Sequence, residues 1–199
     1  MEKKKSKALN LPNMLSLVRM ILVPFFVWAV LAMDMTTLWG RLVPAAIFAV
    51  TAFTDFLDGQ IARRCGLVTN FGKFLDPLAD KFMVFAALVV MVYRYGYLHS
   101  VFLWCTVIIM FRELAVTSLR LVAAGQSGVV IAASFFGKLK TVSQIAGILV
   151  IILAPLLWPL YGAMICPASY VMMALMTLTT IASGIDYLRA YLPALDLNK

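Results

Sequence analysis

The chain has 199 residues, of which 63% are hydrophobic and 13% charged, and its mean hydropathy is +0.96. These values lie outside the range of soluble globular domains and exclude that class. The formal net charge is +8. Because much of it falls in short connections and at helix ends, it indicates membrane topology and attraction for anionic lipid or a phosphorylated substrate, with no nucleic acid partner.

Apolar stretches of about twenty residues recur along the chain, and each can cross about 30 Å of hydrocarbon as a helix. They predict six transmembrane helices, at 14–33, 42–62, 74–93, 101–123, 139–159 and 168–188. The basic segment 1–13 precedes a long run containing Arg19 and Pro24, so we interpret that run as a mature first helix and not as a signal peptide. The predicted fold is all-α, a single six-helix membrane domain spanning 1–199.

Basic residues fall mostly on one side of this predicted topology. The other side carries only Arg41 and Arg94. By the positive-inside rule, the six spans therefore place both termini in the cytoplasm. The basic residues on the predicted cytoplasmic side are Lys3, Lys4, Lys5, Lys7, Arg63, Arg64, Lys73, Lys138, Lys140, Arg189 and Lys199.

Four carboxylates lie at the predicted cytoplasmic ends of the second and third spans. Asp55 and Asp58 share one helical face, and so do Asp76 and Asp80, because residues three or four apart are neighbours on a helix. Charges inside a membrane are costly unless they are paired, hydrated or metal-bound, so they are functional candidates. Four carboxylates on adjacent antiparallel helices would repel one another unless a cation bound between them.

Oxygen ligands of this kind suit a hard divalent cation. His99 is the single histidine and lies at the opposite end of the predicted bundle, and the three cysteines are scattered. A zinc or iron site is therefore disfavoured. We predict a site for one or two Mg²⁺ or Mn²⁺ ions.

Small and basic residues flank the carboxylates. Gly59, Ala62 and Gly72 permit a close approach by backbone or ligand, and a helical Gly costs about 1 kcal/mol relative to Ala. Arg63 lies about one turn from Asp58 and can hold a phosphate through two parallel hydrogen bonds. The alternative for Arg63 is a simple anchor of the helix end, which is the interpretation we favour for Arg64.

The stretch TDFLDGQIARRCGLVTNFGKFLDPLAD has the pattern D-x-x-D-G-x-x-A-R, eight residues, then G-x-x-x-D-x-x-x-D. It resembles the signature of the CDP-alcohol phosphotransferase family at all eight fixed positions. The resemblance implies a six-helix fold, a homodimer and a site open to the cytoplasmic leaflet. It also implies metal ligation by Asp55, Asp58, Asp76 and Asp80, with Asp80 as the candidate catalytic base. The implied CDP-binding residues are Asp58, Gly59, Ala62, Arg63 and Gly72.

Three further segments, NLPNMLSLVRMILVP, FRELAVTSLR and GKLKTVSQ, resemble one branch of this family, the bacterial phosphatidylglycerophosphate synthases. That resemblance implies CDP-diacylglycerol as donor, glycerol 3-phosphate as acceptor, CMP as product and a location in the bacterial inner membrane among membrane lipids. An acceptor with its own phosphate needs cations apart from those that handle CDP. The candidates are Arg112, Arg120, Lys138, Lys140 and Arg189.

Alternatives remain for several of these residues and for the function. Arg112 can instead pair with Glu113 or pack in the bundle, and Lys140 and Arg189 can be ordinary topology signals. The acceptor can instead be inositol phosphate, serine or phosphatidylglycerol. A cation transporter that uses the four aspartates, or an inactive scaffold, is an alternative of another class; a transporter would spread its carboxylates across the membrane depth.

Overall fold

A computed structural model describes residues 11–65, 70–95, 99–127, 135–157 and 166–191. Within these ranges, the side chains of several residues at helix ends lie outside the description, and so do all side chains from 55 to 77 and that of Asp80. The chain divides into two compact units, Met1–Arg94 and Tyr95–Lys199, which are treated separately below. The predicted single domain of residues 1–199 stays a prediction.

Six helices make up the described part of the chain, so the all-α prediction is confirmed. Each contains nearly the whole of a predicted span, and all six are longer than that span. In chain order they are α1 (Leu11–Ala32), α2 (Leu38–Cys65), α3 (Asn70–Arg94), α4 (His99–Ser127), α5 (Phe135–Leu157) and α6 (Pro167–Tyr191).

Three stretches of the described helices are long and apolar enough to cross a membrane: Ser100–Arg120, Phe135–Leu156 and Pro167–Ala190. Two shorter apolar stretches, Ser16–Ala32 and Leu38–Thr54, belong to α1 and α2. Asp55 and Asp58 lie in the remainder of α2, and Asp76 and Asp80 lie in the first half of α3, where the side chains of 55–77 and 80 are outside the description. Six transmembrane crossings stay a prediction.

In the first unit, α1 packs against both α2 and α3. Buried side chains recur along α1 at helical spacing, as in Val23, Phe26 and Val30, and the ring of Phe26 lies 5.4 Å from that of Phe48 on α2. The other face of α1 exposes large hydrophobic side chains, which is the pattern of a helix in contact with lipid: Ile21, Phe25 and Trp28.

A tight turn joins α1 to α2 around Asp34. Its Oδ1 accepts hydrogen bonds from the backbone N–H of Thr36 at 2.9 Å and from the Thr36 hydroxyl at 2.8 Å. The Thr37 hydroxyl donates to the Asp34 carbonyl at 2.8 Å. A Cβ at Gly40 would lie 1.8 Å from that carbonyl oxygen, so the turn requires glycine there. Arg94, at the end of α3, donates to the Met33 carbonyl at 3.2 Å.

In the second unit, α6 packs against both α4 and α5. A polar seam joins α5 to α6: the hydroxyls of Ser143 and Thr179 lie 2.7 Å apart, and the Gln144 amide donates to the Thr180 hydroxyl at 3.2 Å. A Cβ at Gly147 would lie 2.4 Å from the sulfur of Met176, so the absent side chain is what admits Met176. Hydrogen bonds and small residues are the usual means of holding helices together in a membrane.

We expect Thr180→Val to lower the free energy of unfolding by about 0.6 to 1.7 kcal/mol, because it leaves the buried Gln144 amide without its acceptor. The matched control is Thr177→Val, since the described hydrogen bond of that hydroxyl goes only to the Met173 carbonyl on its own helix. Unfolding in mixed micelles by titration with SDS measures both. Equal losses in the two variants would contradict an interhelical role for Thr180.

The hydrogen bonds from the Thr36 backbone and then its side chain hold the pKa of Asp34 below its ordinary value of 3.8. A depressed folded pKa stabilises the protein above the unfolded pKa, and this contribution is lost as the pH falls through the folded pKa. We therefore expect Asp34→Asn to melt at a lower temperature than wild type near pH 7, with the difference shrinking as the pH falls below 3.8 and through the lowered pKa of the folded state. Thermal unfolding in detergent checks this, and a pH-independent difference would contradict it.

Candidate functional site

The four aspartates lie on two consecutive helices of the first unit. Asp55 and Asp58 are in the second half of α2, and Asp76 and Asp80 are in the first half of α3. Their side chains lie outside the described residues, so the structure places their helix positions only. Each pair has the helical spacing that the sequence predicted, because both segments are continuous helix.

The positions match in depth along the two helices. Asp58 lies seven residues before the end of α2 and Asp76 six residues after the start of α3; Asp55 and Asp80 each lie ten residues from the connection. At 1.5 Å per residue, the four positions stand about 9 to 15 Å from the helix ends. Asp58 and Asp76, and likewise Asp55 and Asp80, therefore lie at similar distances from the ends of their own helices.

The predicted CDP-binding residues occupy the same two helix ends. Gly59, Ala62 and Arg63 continue α2 beyond Asp58, and Gly72 lies in the first turn of α3. Their side-chain surroundings, like those of Asp58, lie outside the described part of the structure. Their roles therefore stay predictions that rest on the sequence pattern.

A second polar group lies within the other unit, and its side chains are described. Arg112 on α4 is 8% exposed; its Nη1 lies 3.3 Å from Oε1 of Glu113, and its Nη2 donates to the Ser183 hydroxyl of α6 at 2.6 Å. A Cβ at Gly184 would lie 3.1 Å from Cγ of Arg112, so the arginine stem lies close against the backbone of α6. The pairing of Arg112 with Glu113, which was one of the alternatives considered from the sequence, is therefore observed.

Tyr187 of α6 lies beneath two guanidinium groups. The Cζ of Arg112 is 5.4 Å from the centroid of its ring, and that of Arg120 is 4.6 Å from it. The Nη2 of Arg120 also donates a hydrogen bond to the Tyr187 hydroxyl. Both distances are within the range of a cation–π interaction. The structure thus brings Arg112 and Arg120, two turns apart on α4, to one aromatic ring.

Glu113 also contacts a third cation, in addition to Arg112. The Nζ of Lys140, on α5, contacts the same Oε1 that faces Arg112. We call Arg112, Glu113, Arg120, Lys140, Ser183 and Tyr187 the basic cluster. Its three cations and one carboxylate give a net charge of +2. Arg112 and Glu113 are buried, Lys140 is half-buried and Arg120 is exposed, so the cluster reaches the protein surface. A partly buried group with that excess of charge is suited to an anion.

The other two predicted acceptor residues are placed differently. Lys138 on α5 and Arg189 in the last turn of α6 have exposed side chains. Among the contacts that the structure describes, neither joins the basic cluster. Their positions at helix ends agree equally well with a role in topology.

A family model for CDP-alcohol phosphatidyltransferases matches residues 9–182, which is most of the chain. The chain belongs to the CDP-alcohol phosphatidyltransferase family. The family resemblance drawn from the aspartate signature is thereby confirmed, and so is the expectation of a transferase.

Several curated bacterial members of the family are similar over nearly the whole chain. The CDP-diacylglycerol–glycerol-3-phosphate 3-phosphatidyltransferase of Bacillus subtilis is 40% identical over 191 residues, covering 89% of this chain and 93% of that protein. The probable phosphatidylglycerophosphate synthase of Mycobacterium tuberculosis is 39% identical, covering 92% and 82%. A Yersinia pestis CDP-diacylglycerol–glycerol-3-phosphate 3-phosphatidyltransferase is 39% identical, covering 92% and 94%.

Divalent-metal dependence is general in the CDP-alcohol phosphatidyltransferase family, and the residues present fit it. The fixed positions of the signature supply four carboxylates and no His or Cys, which is a donor set for Mg²⁺ or Mn²⁺. Among the side chains that the structure describes, no group of three or more His, Cys, Asp or Glu could hold a metal ion. The aspartates of α2 and α3 therefore remain the candidate metal ligands of this family member.

Sequence reasoning missed two residues that the structure brings into polar contact with the predicted ones. Ser183 and Tyr187 carry no charge and stand far along the chain from their partners, so intramembrane charge could not single them out. Sequence reasoning also missed Arg19, which is fully buried in the first unit and to which the rule that selected the aspartates applies equally.

We expect Asp55→Asn and Asp76→Asn each to weaken Mn²⁺ binding by more than about tenfold, because each removes a charged oxygen ligand from the predicted site. Titration of the purified protein, with free Mn²⁺ followed by electron paramagnetic resonance, measures this without turnover. Asp34→Asn, in the α1–α2 turn, is the matched control. Unchanged affinity in both signature variants would contradict their assignment as ligands.

Proposed function

We propose that this chain transfers the phosphatidyl group of CDP-diacylglycerol to glycerol 3-phosphate, giving phosphatidylglycerophosphate and CMP. Relatives about 40% identical over most of their length carry names for this reaction. The structural observation that carries the choice of acceptor is the basic cluster, whose net charge of +2 suits a phosphate monoester. Phospholipid biosynthesis is the corresponding process.

The reaction is a substitution at phosphorus. The 1-hydroxyl oxygen of glycerol 3-phosphate forms a bond to the β-phosphorus of CDP-diacylglycerol, and the pyrophosphate P–O bond breaks to release CMP. Asp80 is the proposed base that accepts the hydroxyl proton, since a carboxylate near the attacking oxygen can orient and deprotonate it. The chemistry that a bound Mg²⁺ or Mn²⁺ supplies is neutralisation of the pyrophosphate and of the departing CMP.

The two polar groups take different parts of the substrates in this proposal. Asp55, Asp58, Asp76 and Asp80 hold one or two divalent cations, and Asp58, Gly59, Ala62, Arg63 and Gly72 line the site of the CDP moiety. The acceptor phosphate binds to Arg112, Arg120 and Lys140, which the structure groups around Glu113 and Tyr187. Lys138 and Arg189 remain candidates that the same proposal draws from the sequence.

We further propose the membrane topology and assembly that the sequence predicts. Six crossings, with both termini cytoplasmic, return the α2–α3 and α4–α5 connections to the cytoplasmic side of a bacterial inner membrane. The head groups then react at that side while the acyl chains stay among the membrane lipids. A homodimer is part of the proposal by resemblance to the family alone.

The rival functions differ in how they fit the family assignment. Inositol phosphate, serine or phosphatidylglycerol as acceptor would leave the donor and metal chemistry unchanged. A basic cluster argues against serine, which carries no phosphate. A cation transporter built on the four aspartates is disfavoured because the matching family model describes a transferase.

We expect purified protein in liposomes to release CMP from CDP-diacylglycerol when glycerol 3-phosphate is added with Mg²⁺ or Mn²⁺, and to stop when the metal is chelated. Asp80→Asn should lower the rate by about 100-fold or more, since it removes the proposed base. Asp34→Asn is the control and should retain activity.

A panel of glycerol 3-phosphate, inositol phosphate, phosphatidylglycerol and serine distinguishes the rivals. Release with another acceptor in place of glycerol 3-phosphate would overturn the acceptor assignment and keep the donor chemistry. Release with none of them, from protein that still melts cooperatively, would overturn the enzyme proposal.

A further inference from the structure

The basic cluster holds like charges together at a single aromatic ring. Arg112 and Arg120 are eight residues apart on α4, so their backbones are separated by about 12 Å along the helix axis. Their guanidinium groups nevertheless both lie within 5.4 Å of the centroid of the Tyr187 ring. The two side chains therefore converge towards one another, against the repulsion of their charges.

The described contacts offset the repulsion between these positive charges only in part. Glu113 is the one carboxylate among the cluster residues, and it is shared between Arg112 and Lys140. The Nε of Arg112 is buried and makes no hydrogen bond within the described structure, although the residue is only 8% exposed. The guanidinium of Arg112 thus has an N–H donor without an acceptor among the described residues and lies near the guanidinium of Arg120, and this arrangement favours the binding of an anion.

We propose that Tyr187 is a positioning residue that holds Arg112 and Arg120 in the geometry that binds the acceptor's phosphate monoester. Its ring faces both guanidinium groups, and its hydroxyl accepts a hydrogen bond from Arg120. Ser183, one turn earlier on α6, fixes the other end of the arrangement through its 2.6 Å hydrogen bond with Arg112. This inference rests on the proposed function and adds to it the residue that sets acceptor affinity.

The ring and the hydroxyl of Tyr187 contribute separately, so two variants distinguish them. Tyr187→Phe keeps the ring and removes the acceptor of the Arg120 hydrogen bond; we expect the KM for glycerol 3-phosphate to rise about threefold to tenfold. Tyr187→Leu removes the ring as well, and the rise should exceed about tenfold. In both variants the KM for CDP-diacylglycerol and kcat should change by less than about twofold, because Tyr187 touches neither the donor nor the reacting atoms in this proposal.

The matched control is Tyr170→Leu, on the same helix and with a side chain more than a third exposed. It should leave both KM values unchanged. A binding measurement removes any dependence on turnover: glycerol 3-phosphate, and inorganic phosphate as a simpler probe, should raise the melting temperature of wild type and of Tyr170→Leu. The same ligands should raise that of Tyr187→Leu much less, while Mn²⁺ raises all three equally.

The outcomes distinguish this inference from the proposed function. A fall in kcat or a rise in both KM values to the same extent in Tyr187→Phe would mean that the residue is merely structural and would overturn the inference. If wild type instead uses inositol phosphate, the proposed acceptor fails, but a selective rise in the KM for that phosphorylated alcohol would still support the role of Tyr187. If wild type uses only an acceptor without a phosphate monoester, both proposals fail.

Discussion

An ionised side chain within a membrane protein is costly unless an opposite charge, a hydrogen bond, water or a metal ion compensates it. The described part of this chain obeys that constraint through Glu113, which faces Arg112 on its own helix and Lys140 on the next. Removing that carboxylate would leave two cations of α4 and α5 without their shared partner. The pairing of these charges therefore depends on the positions of α4 and α5.

The same constraint explains what the sequence could predict about the fold. Long apolar windows located all six helices, since a helix is the structure in which a spanning segment satisfies its own backbone. Two of these helices, α2 and α3, also carry the four aspartates, so their spans were predicted from apolar residues that surround charged ones.

The candidate site was predictable where charge itself is the signal. The aspartates and Arg112 are conspicuous against an apolar background, and fixed spacing adds to the family assignment. Ser183 and Tyr187 gave no such signal, because their importance comes from contacts with residues 71 and 67 positions away in the chain. Conversely, nothing in the sequence distinguished Lys138 and Arg189 from Lys140, since all three are basic residues near helix ends. In the folded chain Lys138 and Arg189 are exposed, whereas Lys140 contacts Glu113.

α6 connects the packing of the second unit with its chemistry. Along one side of this helix, Met176 fills the space beside Gly147, Thr180 accepts from Gln144, and Ser183 and then Tyr187 meet the arginines of α4. These residues follow one another at helical spacing, so one stripe changes from apolar packing to a polar seam and then to the basic cluster. The proposed phosphate site would be supported by the seam that fixes α6 against α5, and rigid support of this kind is what precise positioning of a ligand requires. Loosening the seam at Thr180 should therefore disturb acceptor binding before it disturbs the aspartates, which belong to the other unit.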